Sequence, residues 1–254
     1  EESDLRHTYF PSVLKKVLEV VDKRIIKKSL MIVFTSEGFC EYHFGSEIPE
    51  NVSFIPNRLS PDVKNVSLLP HKKFNKEKLS IGFVGSPRFK AVYNFVKVFC
   101  TNFPKCEMHL FGEPLLDGIE ELRGKFDNAF FHGTFTSPQD LPNIYSSIDL
   151  VLSTYDADVE NVRFAEPNKI YESMFFEVPI IVSKNTFLAS NVDRLGIGYA
   201  INAADDNEII SFVNSLSEES IRERIANIQK IDKDTLVSIN DDFYHKLESR
   251  LKLL

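Results

Sequence analysis

The sequence lacks tryptophan and has only three cysteines among its 254 residues: Cys40, Cys100 and Cys106. An odd number of widely spaced cysteines gives neither a disulfide framework nor the paired spacing of a zinc site. The six histidines are scattered along the chain, and no two of them stand at ligand spacing on one predicted element. These residues therefore carry no metal signature, and a reducing cytoplasm is the expected setting.

An excess of positive charge is also lacking. Lys and Arg number 30 and Asp and Glu number 37, which gives a net charge of −7. A nucleic-acid-binding protein usually shows a basic excess, so we expect no nucleic-acid partner. The basic stretches "KKVLEVVDKRIIKK" and "PHKKFNKEK" are more typical of solvated faces than of lipid or phosphate sites. No apolar run approaches the roughly 20 residues that a membrane span needs.

Hydrophobic periodicity predicts the elements of the first part of the chain. Apolar residues at spacings of three and four predict an amphipathic helix from about residue 10 to Lys28. "LMIVFTS" then reads as a buried strand, "EGFCEYHFG" as a short helix and "NVSFIPN" as a second strand. Residues 59–78 are polar, hold two prolines and show no period, so we interpret them as a linker.

Beyond the linker, strands and helices alternate. The predicted strands are "LSIGFVG", "CEMHLFG", "NAFFHG", "DLVLSTY", "VPIIVS" and "GYAIN". The predicted helices cover residues 87–103, 115–126, 137–148, a segment between Pro167 and Pro179, 187–195, 205–216, 217–230 and 234–252. This alternation predicts the α/β class, with a Rossmann-like parallel sheet and helices on both faces. Ligands bind such sheets beyond the carboxyl ends of the strands.

The stretch "GFVGSPRFK" ends one predicted strand and begins the next helix. A helix start attracts anions, and glycine lets a ligand approach the backbone closely. Arg88 and Lys90 add positive charge that suits a diphosphate. The spacing is neither Gly-x-Gly-x-x-Gly nor a Walker loop. An ordinary turn with surface basic residues therefore remains the alternative interpretation.

The segment "EPNKIYESMFFEVPIIV" places Lys169 and Glu172 three residues apart on one helical face. They could form an exposed ion pair of little energetic consequence. Alternatively, a carboxylate that faces a cleft can accept hydrogen bonds from both hydroxyls of a ribose. Pro167 at the helix start would leave the next N–H groups to a phosphate. The acidic "DAD" at 156–158 is expected to be a solvated loop rather than a metal site.

"PNKIYESMFFEVPII" resembles the Pro-x-Lys-Ile/Leu-x-Glu…Pro-Val/Ile-Ile signature of retaining glycosyltransferases of the GT-B fold. The relevant members are the large bacterial group, family 4-like or group 1, that builds capsule, lipopolysaccharide and exopolysaccharide. "SIGFVGSPRFK", "FPKCEMHLFGE" and "FFHGTFTSPQDLPNIYSSIDLVLSTY" follow the order of that group over about residues 79–230. The resemblance implies the end of an acceptor-side Rossmann-like domain (1–58), a linker (59–78), a donor-binding domain (79–232) and a C-terminal helix that crosses back (233–254).

The resemblance also implies roles for individual residues. Glu172 matches the glutamate that grips the ribose, and the expected catalytic cations beside the diphosphate are Arg88, Lys90 and Lys169. The further donor-binding residues are Gly85, Ser86, Phe111, Gly112, Phe135, Glu166, Pro167 and Asn168. Phe164 stands eight residues before Glu172, where the group has its first glutamate, and Glu166 is out of register. This departure leaves the contact to the sugar ring open.

The implied reaction is hexosyl transfer from a nucleotide-diphosphate sugar to a glycan or lipid-linked acceptor, with retention. Neither a metal nor another cofactor is expected. A cytoplasmic enzyme is implied, with peripheral contact to the inner membrane face through the basic helix near 15–28. About a hundred further N-terminal residues are expected in a complete enzyme of this kind. Two alternatives stay open: a nucleotide-sugar epimerase on the same fold, or a non-catalytic nucleotide-binding module.

Overall fold

The computed structural model describes residues 12–87, 89–113, 115 and 117–252. The first elements are helix α1 (Ser12–Lys28), strand β1 (Ile32–Phe34), helix α2 (Glu37–Phe44) and strand β2 (Val52–Phe54). Strands β1 and β2 pair in parallel. The first strand was predicted to be buried, and this is wrong, because Ile32 and Phe34 are only half-buried and Val33 is 42% exposed. Alternation along the strand directs Val33 to the face that no described element covers.

The remainder of the chain is organised around a six-stranded parallel sheet with the strand order β5-β4-β3-β6-β7-β8. Its strands are β3 (Ser80–Val84), β4 (Glu107–Phe111), β5 (Ala129–Phe131), β6 (Leu150–Ser153), β7 (Ile180–Ser183) and β8 (Gly198–Ile201). All five pairings are parallel. The predicted Rossmann-like parallel sheet is therefore confirmed.

Helices cover both faces of the sheet, as the sequence predicted. Because side chains alternate between the faces, Phe83 and Leu110 enter one core and Val84 and Val151 enter the other. The first core includes residues of α3 (Lys90–Asn102), α4 (Asp117–Glu120), α9 (Asp206–Ser215) and α10 (Glu218–Ile228). The second core includes residues of α5 (Leu141–Ser146), α7 (Lys169–Phe175) and α8 (Phe187–Leu195).

The helices differ from those predicted in several places. The helix expected over 115–126 is limited to the four residues of α4, and tighter three-residue turns follow, such as Leu122 N–H to Ile119 C=O at 3.0 Å. Gly124 ends the segment at a φ of +76°. Helix α3 begins at Lys90 instead of residue 87. A short helix α6 (Glu160–Phe164), which the sequence did not predict, lies in the loop after β6.

The predicted linker is partly ordered against the second core. It contains two 3₁₀ turns, Pro61–Asn65 and Lys76–Lys78, and buries Leu59 and Val63. Leu59 forms a parallel bridge with Val237, in which the Leu59 N–H donates to the Leu236 carbonyl at 3.0 Å. This extended pairing interrupts the helix predicted over 234–252. The structure has a 3₁₀ turn at Lys233–Leu236 and a separate helix α11 (Asp241–Leu251).

Helix α11 lies against the first elements of the chain. The Lys246 ammonium donates to the Val52 carbonyl at 2.5 Å, and the Arg250 guanidinium donates to the Glu50 carbonyl at 2.6 Å. Charge-assisted bonds of this kind fix the helix beside strand β2. None of the helices in the described ranges is both long enough and apolar enough to cross a membrane.

Candidate functional site

Three glycines lie side by side where strands β3, β4 and β5 end. Gly85, Gly112 and Gly133 have φ angles of +121°, +121° and +73°, which favour glycine. The Gly85 N–H donates to the Phe111 carbonyl at 2.7 Å, and the Gly112 N–H donates to the Gly133 carbonyl at 2.6 Å. The turns that follow these three strands are thus joined into one continuous backbone edge at the carboxyl end of the sheet.

This edge is closely packed at Gly112 and Gly85. A Cβ atom on Gly112 would lie 2.3 Å from the Gly85 carbonyl oxygen, and one on Gly85 would lie 3.0 Å from the Lys169 Nζ. Lys169 is only 9% exposed. Its Nζ lies 5.0 Å from the ring centroid of Phe83 and 5.9 Å from that of Tyr155. The structure therefore brings the predicted residues Gly85, Gly112 and Lys169 together, with the lysine charge held over aromatic faces.

The start of helix α3 differs from the prediction. The sequence suggested that its N–H groups would be open to an anion, but Asp156 already caps them. The Lys90 N–H donates to Asp156 Oδ2 at 3.1 Å, and the Ala91 N–H donates to Asp156 Oδ1 at 2.8 Å. The "DAD" loop was expected to be merely solvated, and this is wrong for Asp156, which supplies a helix cap.

The other predicted residues of this turn are Ser86, Arg88 and Lys90. Ser86 is half-buried, and the Lys90 side chain is exposed. Arg88 lies outside the described residues, so its predicted role stays a prediction. Within the described ranges, no group of three or more His, Cys, Asp or Glu side chains is arranged to hold a metal ion.

Glu172 was predicted to face an open cleft, but it is only 5% exposed. The Tyr145 hydroxyl donates to Glu172 Oε2 at 2.6 Å, and the Asn168 amide donates to Glu172 Oε1 at 2.9 Å. Burial raises the pKa of Glu172, while the Tyr145 hydrogen bond and the Lys169 charge act in the opposite direction. The carboxylate is thus fixed by two donors and lies on the same short helix as Lys169.

Glu166 belongs to a different network. One of its carboxylate oxygens accepts from the Tyr171 hydroxyl, and Oε2 accepts from the Asn191 amide at 2.6 Å. Its backbone carbonyl accepts from the Asn57 amide at 3.0 Å. Pro167 precedes helix α7 instead of opening it, because Asn168 is the N-cap residue. Glu166 therefore ties the loop before α7 to helix α8 and to the segment that follows β2.

The predicted base-binding side chains are mostly covered. Phe111 is 8% exposed, and its ring stacks on that of His132 with centroids 4.2 Å apart. Phe135 is half-buried against the second core. His132 is exposed and lies 3.0 Å from His109, Nε2 to Nδ1. Burial lowers the pKa of both histidines, which favours the neutral, hydrogen-bonded pair near neutral pH.

Sequence reasoning assigned no role to three residues of this site: Gly133, Tyr145 and Asp156. Gly133 had a usable signal, since "FVG", "LFG" and "FHG" end three successive strands in the same way. Asp156 and Tyr145 had none. Their partners lie on other elements, and only the strand order brings them together.

No protein-family model matches the chain, and no curated protein matches it in sequence. Solved structures do match. HepE of Anabaena, determined with UDP and glucose, has a TM-score of 0.64 at 16% identity over 87% of this chain and 63% of that chain. Sucrose-phosphate synthase of Thermosynechococcus elongatus has a TM-score of 0.61 at 15% identity over 99% and 64%. WaaG, a glycosyltransferase involved in lipopolysaccharide biosynthesis, has a TM-score of 0.54 at 14% identity over 77% and 56%.

These neighbours are GT-B glycosyltransferases, and the likeness shows the fold. The chain has the helix-flanked parallel sheet of that fold and spans 63% of the length of HepE. At such low identity the likeness assigns no role to any residue, so the predicted site residues stay predictions.

Replacing Gly112 with alanine is expected to destabilise the protein by more than about 3 kcal/mol. The added Cβ would lie 2.3 Å from the Gly85 carbonyl oxygen, at a φ that strains any other residue. Gly124→Ala is the matched control, because φ is +76° and nothing lies within 4 Å. It should cost only about 1–2 kcal/mol. Urea unfolding measures both, and equal losses would show that the close approach does not require glycine.

Proposed function

We propose that this chain contains the donor-binding half of a retaining glycosyltransferase that transfers a sugar from a nucleotide-diphosphate sugar. The observation that carries the proposal is the position of Lys169. Its ammonium lies against the Gly85 turn, while Glu172 lies three residues further along the same helix. A cation suited to a diphosphate and a carboxylate suited to a ribose thus lie three residues apart on one short helix.

The fold supports a uridine nucleotide as the donor. HepE, whose fold is similar to that of this chain, was crystallised with UDP and glucose and also with UDP-glucose. We therefore propose a UDP-hexose as the donor, with its base beside the edge formed by Gly112 and Gly133. The exposed His132 ring would contact the base. Phe111, a predicted base-binding residue, would support that ring by stacking on it.

The chemistry needs a stabilised leaving group. The bond between the anomeric carbon and the diphosphate breaks, the acceptor oxygen takes its place with retention, and the acceptor proton leaves with the diphosphate. Lys169 is already held in position and poorly hydrated, so it can stabilise the developing charge without reorganisation. Lys90 and Arg88 would add charge from the neighbouring turn. With Lys169 as a fixed cation of the chain itself, we expect no metal requirement.

For the acceptor we propose a glycan or a lipid-linked glycan of a bacterial capsule, lipopolysaccharide or exopolysaccharide. WaaG, which shares the fold, is involved in lipopolysaccharide biosynthesis. A donor of this class places the reaction in the cytoplasm. A lipid-linked acceptor would bring the enzyme to the inner face of the membrane.

Calorimetry with UDP tests the donor site. Lys169→Met keeps the side-chain length but removes the charge, and it should weaken UDP binding about tenfold or more, as expected for a lost charge-assisted contact. Binding of uridine, which has no phosphate, should change little. Lys97→Met is the control, because Lys97 is exposed on helix α3.

Three results would contradict the proposal in different ways. If Lys169→Met leaves the UDP affinity unchanged, Lys169 does not contact the diphosphate. The absence of binding to any nucleotide would favour the non-catalytic module. An epimerised sugar formed without an acceptor would identify the epimerase.

Asp156→Asn is expected to tighten UDP binding severalfold. The carboxylate competes with a phosphate for the α3 N–H groups and repels it, whereas an asparagine oxygen still caps the helix without charge. Asp158→Asn in the same loop is the control, because Asp158 is exposed. Calorimetry at low and high salt measures the gain, which should shrink as salt screens the repulsion. Weaker binding in Asp156→Asn would show that the carboxylate assists the donor.

Peripheral membrane contact is proposed through helix α1. It exposes Leu14, Val17, Val21 and Ile25, and Arg24 and Lys28 beside them are exposed as well. An apolar face flanked by cations suits an anionic lipid surface. The protein should therefore float with vesicles that contain phosphatidylglycerol, and a Val17→Glu/Ile25→Glu double variant should not. Equal flotation with neutral and anionic vesicles would contradict the proposed contact between helix α1 and an anionic membrane.

A further inference from the structure

Tyr145 is a buried polar residue for which the sequence predicted no function. Its side chain is 0% exposed, and its ring stacks on Phe176 with centroids 5.0 Å apart and planes 14° apart. Among the described residues, the hydroxyl has one hydrogen-bond acceptor, Glu172 Oε2 at 2.6 Å. A buried tyrosine hydroxyl needs such a partner. The contact therefore joins helix α5 to the first turns of helix α7.

The two donors to Glu172 differ in their surroundings. Tyr145, which is fully buried, approaches Oε2 from the interior. Asn168 approaches Oε1 at 2.9 Å and is itself exposed, so another donor from solvent can take its place. Each carboxylate oxygen can accept more than one hydrogen bond. Glu172 thus has one donor in the interior and one donor at the surface.

Burying the Tyr145–Glu172 pair costs more free energy than a purely structural contact in the core requires. Burying a carboxylate and a hydroxyl requires desolvation of both, and apolar side chains of similar volume often do as well. Burial also raises the pKa of Glu172, and the Tyr145 hydrogen bond opposes that rise. Without it, Glu172 would tend to take up a proton and lose the negative charge that binds hydroxyls strongly.

We propose that Tyr145 is a positioning residue for ribose recognition: it holds Glu172 so that Oε1 faces the hydroxyls of the nucleotide, which replace the Asn168 amide. This inference rests on the proposed nucleotide-sugar site. It adds a structural reason why the site would bind a ribonucleotide more tightly than a deoxyribonucleotide. A vicinal diol supplies two donors to the carboxylate, whereas a 2′-deoxyribose supplies one.

The test compares the affinities of UDP and 2′-deoxy-UDP by calorimetry. The wild-type protein should bind UDP about tenfold more tightly, the preference expected for one charge-assisted hydrogen bond. In Tyr145→Phe, which keeps the stacked ring, this preference should fall to about threefold or less. A change that only loosened the core would weaken both nucleotides equally and leave the ratio unchanged.

Tyr199→Phe is the matched control. It also removes one hydroxyl with one hydrogen-bond partner, Ser220 at 3.2 Å, but Tyr199 packs against the other core. Its UDP to 2′-deoxy-UDP ratio should equal that of the wild type. Thermal unfolding shows whether each variant is folded. Should Tyr145→Phe fail to fold, Asn168→Ala tests the same geometry, because removing the exchangeable donor should tighten UDP while the preference for UDP persists.

The outcomes separate the two proposals. A wild-type preference for UDP that Tyr145→Phe abolishes supports the positioning role. Two results overturn this inference and leave the proposed function standing, provided that UDP binding depends on Lys169. In the first, the wild-type protein does not prefer UDP over 2′-deoxy-UDP. In the second, Tyr145→Phe retains the preference. Asn168→Ala that weakens UDP overturns the exchange of donors. No UDP binding at all overturns both.

Discussion

The close approach between Gly112 and the Gly85 carbonyl determines the shape of the candidate site. A Cβ atom at Gly112 would lie only 2.3 Å from that oxygen, so the ends of β3 and β4 can meet in this way only with glycine. The space beside Gly85 then receives the Lys169 ammonium. Phe83 and Tyr155 surround this charge with ring faces. The position of the positive charge therefore depends on the same backbone packing that requires glycine at these turns.

The polar groups around this edge bind one another. Asp156 caps helix α3, Asn168 and Tyr145 hold Glu172, and Glu166 is held by Tyr171 and Asn191. Buried polar groups need such partners. A ligand at this edge therefore exchanges one set of hydrogen bonds for another, and the net gain per bond is small. Discrimination between ligands then depends on geometry more than on the number of bonds.

The sequence predicted the sheet well because each strand is an apolar run that ends at a glycine or a polar turn. Helical spacing placed Lys169 and Glu172 on one short helix, and the resemblance supplied the roles that we expect of them. The sequence could not predict Tyr145 beside Glu172, since no local pattern relates two residues on helices that the strand order brings together. The Asp156 cap escaped for the same reason. Helix α4 was predicted too long because the cost of Gly118 and Gly124 within a helix was underestimated.

The bridge between Leu59 and Val237 affects how the protein can move. The chain leaves the first elements at Leu59 and returns towards them after Val237, and these two passages run parallel and share hydrogen bonds. Any hinge motion at this point must therefore bend two hydrogen-bonded chain segments instead of a single connection. Rotation about these two segments would move helix α11 and strand β2 together, because the Lys246 side chain hydrogen-bonds to strand β2.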